Sequence, residues 1–220
     1  MKKQWTVGIV LFDDVDVLDY SGPFEVLSLT TNEPQEVREL LTQGIPSERK
    51  PFKVCTISKD GSVVTSNNGL KIVPDYSFEN INQNLDILIV PGGPFKGIDA
   101  CLRDRQLINW ISAFSQSGGI IASICSGAIL LAEAGVLTGK KATTHPYAYD
   151  YLEQNYKDIE VIRNIRFVDN GYVLTSGGVS AGIDMSIYLV AKLLGEETAK
   201  TTAATLVYPY YNSELHLKSV

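Results

Sequence analysis

Three short runs, Thr6-Val-Gly-Ile-Val-Leu11, Leu85-Asp-Ile-Leu-Ile-Val90 and Gly119-Ile-Ile-Ala-Ser-Ile124, are apolar almost from end to end. They are strand-sized, far shorter than a membrane span, and do not alternate polar with apolar residues. Such runs read as strands buried on both faces, which is the habit of parallel sheets. Helix-like segments lie between and after them. Alternation of this kind implies a three-layer α/β domain, with a mostly parallel sheet and helices on both faces. No repeat, low-complexity tract or linker interrupts the 220 residues, so a single domain over residues 1–220 is expected.

The remaining elements follow from local signals. Residues 23–29 read as a helix with Pro23 in its first turn and Glu25 near the positive end. Residues 30–50 are polar, contain Pro34, Gly44 and Pro46, and read as an excursion with a helix near 36–41. Residues 52–58 read as a strand. Asp60-Gly61 reads as a hairpin turn into 63–65, with 70–73 following. Helical spacing covers 105–114, 126–134 (stopped by Gly135), 147–156, 183–194 (ended by Gly195) and 196–207. Residues 161–168 and 172–175 read as two strands across the Asp169-Asn170-Gly171 turn.

Composition excludes several classes. A net charge of −6 argues against nucleic acid or an anionic membrane surface as the main partner. The amino terminus lacks the apolar run and cleavage site of a signal peptide. Cys55, Cys101 and Cys125 are odd in number and widely spaced, so no disulfide framework is expected and a cytoplasmic location is. His145 and His216 are the only histidines, and no paired spacing suggests a metal site.

The chemistry concentrates at Cys125. Its segment runs from strand pattern to helix pattern with no loop between, so the cysteine stands on a sharp turn like the serine of a nucleophile elbow. Ser126, Gly127 and Ala128 are small, as close backbone approach there requires. The adjacent helix N-terminus is expected to favour thiolate over thiol. A packed structural cysteine is the plainer alternative. Pro91-Gly92-Gly93-Pro94 also follows a buried strand, and its glycines could turn N–H groups toward a ligand or simply make a turn. Among Asp13, Asp14, Asp16 and Asp19, the first three read as solvated loop residues. By spacing alone, Asp19 reads as a helix cap that could instead face inward. His145 reads as a pocket or core histidine, because nothing in the spacing aims it at Cys125. The glycine-rich turn 177–182 reads as close helix–sheet packing rather than a phosphate site.

Taken in order, Leu18-Asp19-x-x-Gly22-Pro23-x-Glu25-Val26, Val90-Pro91-Gly92-Gly93, Ile124-Cys125-Ser126-Gly127-Ala128, Ala142-Thr143-Thr144-His145 and Ser180-Ala181-Gly182-Ile183-Asp184 resemble the ThiJ/PfpI superfamily over residues 5–200. The resemblance implies the flavodoxin-like fold of class I glutamine amidotransferases. Within the superfamily the pattern is most similar to the isocyanide (isonitrile) hydratase branch, whose acid in the Leu-Asp-x-x-Gly-Pro motif matches Asp19. That branch has a hydroxyl residue after the nucleophile, usually Thr, here Ser126. Protease and glyoxalase members carry His at that position. Related domains also occur in AraC-type regulators, fused to a DNA-binding domain. This chain shows no such appendage and is expected to stand alone, as a homodimer by resemblance.

The resemblance implies a lyase that adds water to an isocyanide to give an N-substituted formamide, without cofactor or metal. Cys125 would attack the terminal carbon to form a thioimidate, and protonated Asp19 would supply the proton. Water held by Ser126 and activated by Asp19 would release the product. The backbone of Gly92 and Gly93, the Ser126 N–H and His145 would line the substrate pocket. The alternatives are a cysteine-based redox or small-molecule sensor and a glyoxalase- or deglycase-like enzyme.

Overall fold

A computed structural model describes residues 3–81, 84–209 and 216–218. The chain opens with β1 (Trp5–Val10) and α1 (Val17–Ser28), followed by α2 (Glu36–Thr42) and β2 (Phe52–Ser58). Three two-residue strands come next, β3 (Val64–Thr65), β4 (Lys71–Ile72) and β5 (Tyr76–Ser77). Then come β6 (Ile87–Val90), α3 (Phe95–Arg103), α4 (Arg105–Gln116), β7 (Ile120–Ile124) and α5 (Gly127–Glu133). β8 (Lys141–Ala142), α6 (Tyr149–Asn155), β9 (Glu160–Val161), β10 (Phe167–Asp169), β11 (Val173–Ser176), α7 (Ala181–Leu194), α8 (Glu196–Thr205) and β12 (His216–Lys218) complete it.

One sheet has the order β12-β10-β11-β7-β6-β1-β2-β5. Every neighbouring pair is parallel except β10 with β11. This is the mostly parallel α/β sheet that the apolar runs require. β6 and β7 are buried at every residue, which explains why neither alternates in sequence. After β1 the chain moves to β2 on one side, and after β6 it moves to β7 on the other. The crevice at their carboxyl ends is therefore a topological switch point, where open α/β sheets bind ligands. Register sharpens the point: Val90 sits opposite Ser123, and Ser176 opposite Ile124. Pro91–Gly93, Cys125–Ser126 and Gly177–Gly178 thus leave the sheet side by side.

Four expectations need correction. α1 begins at Val17, not at Pro23, and Pro23 lies inside it. An internal proline forfeits the hydrogen bond to the carbonyl four residues back, that of Asp19. Burial of Tyr20, Gly22, Pro23, Val26 and Leu27 outweighs that loss, and Gly22 lets Ile183 of α7 approach to 3.3 Å of where a Cβ would stand. Asp60-Gly61 is a turn, with Ser62 N donating to Asp60 Oδ1 at 2.9 Å, yet it makes no hairpin with β2. β3 pairs instead with β4 in a separate ribbon. The helix α3 was not foreseen; only Gly97, Ile98 and Cys101 of it are buried, a stripe too narrow to stand out. The strand expected at 161–168 is two pieces: β9 pairs with β8, and β10 alone joins the main sheet.

The carboxyl ends of β6 and β7 are so close that Gly92 is obligatory. A Cβ there would sit 2.7 Å from Ser126 N and 2.9 Å from Cys125 Cβ. Gly92→Ala should therefore lower the unfolding free energy by about 1–3 kcal/mol, read from the midpoint of urea unfolding. An unchanged midpoint would mean that the wall beside Cys125 can yield.

Candidate active site

Cys125 adopts φ 57°, the left-handed region that non-glycine residues rarely enter. Three contacts hold it there. Its N–H donates to Ser176 O at 3.0 Å, its carbonyl accepts from Thr144 Oγ1 at 2.8 Å, and Gly178 packs flush against it. A Cβ on Gly178 would come 2.8 Å from Cys125 Cα. The Gly178 turn is itself pinned, because Gly177 N–H donates to Arg166 O at 2.9 Å. Arg166 Nε in turn donates to the buried Asp184 of α7 at 2.6 Å. Gly182 stands close under Ile124, so the 177–182 turn serves close packing, as its sequence suggested. Thr144 was singled out in the sequence only as a neighbour of His145. Its bond to the elbow carbonyl has no signature in spacing.

Asp19 is fully buried in the first turn of α1. It is not the cap: Asp16 holds that position, and neither side chain caps the helix. Asp19 Oδ2 accepts the Gly92 N–H at 3.0 Å, while Oδ1 has no hydrogen-bond partner among the described residues. Burial raises the carboxyl from its ordinary value near 3.8 to about 7. The Gly92 N–H works against that rise, the Asp16 charge adds to it, and the Cys125 thiol lowers it slightly.

The expected bias toward thiolate is reversed. Cys125 is 5% exposed, and burial, followed by the Asp19 charge, pushes its thiol well above the usual range. The Ser126 N–H and hydroxyl pull the other way and do not prevail. α5 is only seven residues long, too short to offset desolvation. The resting pair is thus a thiol beside a carboxyl that changes charge near neutrality.

Asp16 was read from sequence as a solvated loop residue. In the structure it is half-buried, and Asp16, Asp19 and Cys125 each bring one polar atom within 4.8 Å of the others. At that spacing the three groups are close enough to share protons.

Ser126 and Gly93 bind each other twice. Gly93 N–H donates to Ser126 Oγ at 3.0 Å, and Ser126 Oγ donates to Gly93 O at 2.7 Å. The Gly93 amide is therefore occupied, and the Ser126 amide is the donor left facing the sulfur. A cavity of about 210 Å³ opens onto Cys125 and Ser126, with Asp16, Asn67, Phe95, His145, Tyr147 and Val179 among its walls. Asp19 is not among the residues that line it. His145 Nδ1 accepts the Tyr147 N–H at 3.3 Å and its ring stacks on Tyr147. It is a wall residue, and among the described residues no hydrogen bond joins it to Cys125. Cys101 and Cys125 are free thiols. Cys101 borders a separate hollow of about 280 Å³, but it lies within α3, without an elbow.

The raised Asp19 carboxyl has a consequence for stability. The folded state keeps a proton that the unfolded chain loses from about pH 4, so Asp19 destabilises the fold increasingly up to about pH 7. Asp19→Asn removes the charge and should be more stable than the parent at pH 8 by up to about 4 kcal/mol. That advantage should vanish near pH 4. Chemical unfolding of both proteins at the two pH values checks this, and an equal difference at both would contradict it.

Comparison with known proteins places the chain. The family model described as DJ-1/PfpI family matches residues 6–192. Isonitrile hydratase of Pseudomonas putida is 33% identical over 202 residues, covering 92% of this chain and 78% of that protein. The transcriptional regulator CdhR of Pseudomonas aeruginosa is 30% identical over 145 residues, covering 65% of this chain and 41% of its own. The crystal structure of a ThiJ/PfpI family protein from Pseudomonas syringae superimposes with a TM-score of 0.78 at 26% identity, covering 96% of this chain and 79% of that one. With a cysteine elbow at the carboxyl edge of a mostly parallel sheet, and a matching model over most of its length, the chain belongs to the DJ-1/PfpI family.

Proposed function

We propose that this protein is a cysteine-dependent hydratase that adds water to an isocyanide and releases an N-substituted formamide. The observation that carries the reading is Cys125 at the floor of a small cavity with the buried Asp19 carboxyl close by; among the described residues no hydrogen bond joins a histidine to the sulfur. An isocyanide has an electrophilic terminal carbon and needs a proton at that same carbon. A thiol beside a carboxylate with a pKa near 7 can provide both. As the Cys125 sulfur bonds to the terminal carbon, its proton passes to Asp19. Asp19 then returns it to the carbon, leaving a thioimidate and a carboxylate. The Ser126 N–H, pointed at the sulfur, stabilises thiolate character as it develops. Water then attacks the same carbon, and carbon–sulfur cleavage frees the formamide. Similarity to isonitrile hydratase of Pseudomonas putida supports the substrate class. The reading includes a homodimer in the cytoplasm and no cofactor. Among the described residues, no helix is long and apolar enough to cross a membrane.

A second reading has one observation in its favour. Similarity to CdhR fits a domain that binds a small molecule without turning it over, or whose Cys125 is oxidised as a signal.

A simple isocyanide separates the two. The hydratase should yield the formamide, Cys125→Ala should yield none, and Asp19→Asn should lose about 10²–10⁴-fold in kcat/KM. Ser126→Thr should be tolerated, whereas Ser126→Ala, which unties Gly93, should be slow. Peroxide that oxidises Cys125 selectively, with no formamide from the untreated protein, favours the sensor. Normal turnover by Asp19→Asn would remove Asp19 from the chemistry.

A further inference from the structure

Thioimidate hydrolysis needs a base for the attacking water, and that water reaches the carbon from the cavity. Asp19 is badly placed for this step. It is fully buried, one oxygen is tied to the Gly92 N–H, and it does not line the cavity. Ser126 cannot take the proton either, since its hydroxyl donates to Gly93 O and accepts from Gly93 N. Asp16 is the carboxylate on the water's side. It lines the cavity with Cys125 and has a polar atom within 4.8 Å of both Cys125 and Asp19. Its backbone N–H donates to Gly92 O at 3.0 Å, which fixes it beside the floor of the site. Its side chain stands at the cap position of α1 yet does not cap the helix. It accepts instead from Asn67 Nδ2 at 3.2 Å, from the turn between β3 and β4, and Asn67 lines the same cavity.

We propose, on the hydratase reading above, that Asp16 is a second catalytic carboxylate: the base that takes the proton from the hydrolytic water, with Asn67 orienting it. As the water oxygen bonds to the thioimidate carbon, one water proton passes to Asp16. The carbon–nitrogen π pair moves to nitrogen, which takes that proton back from Asp16. The tetrahedral adduct then collapses: its hydroxyl proton passes to Asp16, the carbonyl forms, the carbon–sulfur bond breaks, and the proton moves from Asp16 to Asp19 and on to the departing sulfur. The sum is one water and one isocyanide converted to one formamide, with Cys125, Asp16 and Asp19 restored. Two carboxylates in unlike environments thus divide the proton transfers, the buried one serving sulfur and the open one serving water.

The test is pre-steady-state trapping with a simple isocyanide, read by intact-protein mass spectrometry and formamide release. Asp16→Asn preserves shape and can still accept from Asn67. It should form the Cys125 adduct at the parental rate but release formamide about 10²-fold or more slowly, so the adduct accumulates. Asp16→Glu, which restores a carboxylate, should clear the adduct faster than Asp16→Asn. If Asp16→Asn releases product as fast as the parent, the assignment is wrong. If Asp16→Asn forms adduct more slowly, with none accumulating, Asp16 acts through Asp19 and the assignment is again wrong. A parent protein that gives neither adduct nor formamide overturns the hydratase reading itself, which a failure of Asp16 alone does not. Should Asp16→Asn not fold, Asn67→Ala, made at a hairpin turn outside the main sheet, must accumulate adduct for the proposal to stand.

Discussion

A carboxyl group sealed from water against a sulfur is the constraint on which the site depends. Asp19 has no exposed surface, one oxygen bound to the Gly92 N–H and, among the described residues, one without a partner. An ion in that position is costly, so the carboxyl keeps its proton to about neutral pH. The same burial denies Cys125 an easy thiolate. Each group is thereby made the natural proton partner of the other, and the reactive form arises by transfer between them rather than by loss of a proton to solvent. A surface cysteine next to a solvated aspartate would have neither property.

The fold supplies this arrangement through strand order. β1, β6, β7 and β11 are neighbours, so the segments that follow them converge without any long loop. Convergence forces the backbones into contact, and small residues at Gly92, Gly127 and Gly178 accommodate it. The left-handed Cys125 is a strained conformation of the kind that persists only where surroundings over-determine it. The Ser176 carbonyl, the Thr144 hydroxyl and the Gly178 wall are those surroundings. Rigidity at the floor contrasts with the rim, where Tyr147 is 87% exposed and Phe95 41%, leaving apolar surface at the mouth for a substrate's side group.

Much of this was legible in the sequence because it rests on local patterns. Unbroken apolar runs identified β1, β6 and β7, and the missing loop after Ile124 identified the elbow. Asp19 was legible only through family resemblance. Spacing made it a helix cap, because Pro23 looked like a first-turn proline and hid six earlier helical residues. Asp16 was illegible for a different reason. An Asp in Asp13-Asp14-Val15-Asp16 reads as solvated loop, and its position at the cavity depends on Asn67, 51 residues away on a hairpin that was itself misplaced. The thiolate expectation failed because a local argument from a helix end ignored desolvation, a property of the whole fold.

The most direct measurement is the titration of the Asp19 carboxyl itself, by the carbon-13 shift of its side-chain carbon in labelled protein, assigned with Asp19→Asn. The account predicts a midpoint near pH 7, since burial beside the sulfur is what raises it. A midpoint near 4, the ordinary carboxylate range, would mean that Asp19 is solvated and ionised at rest, and the proton-sharing pair at the centre of the account would not exist.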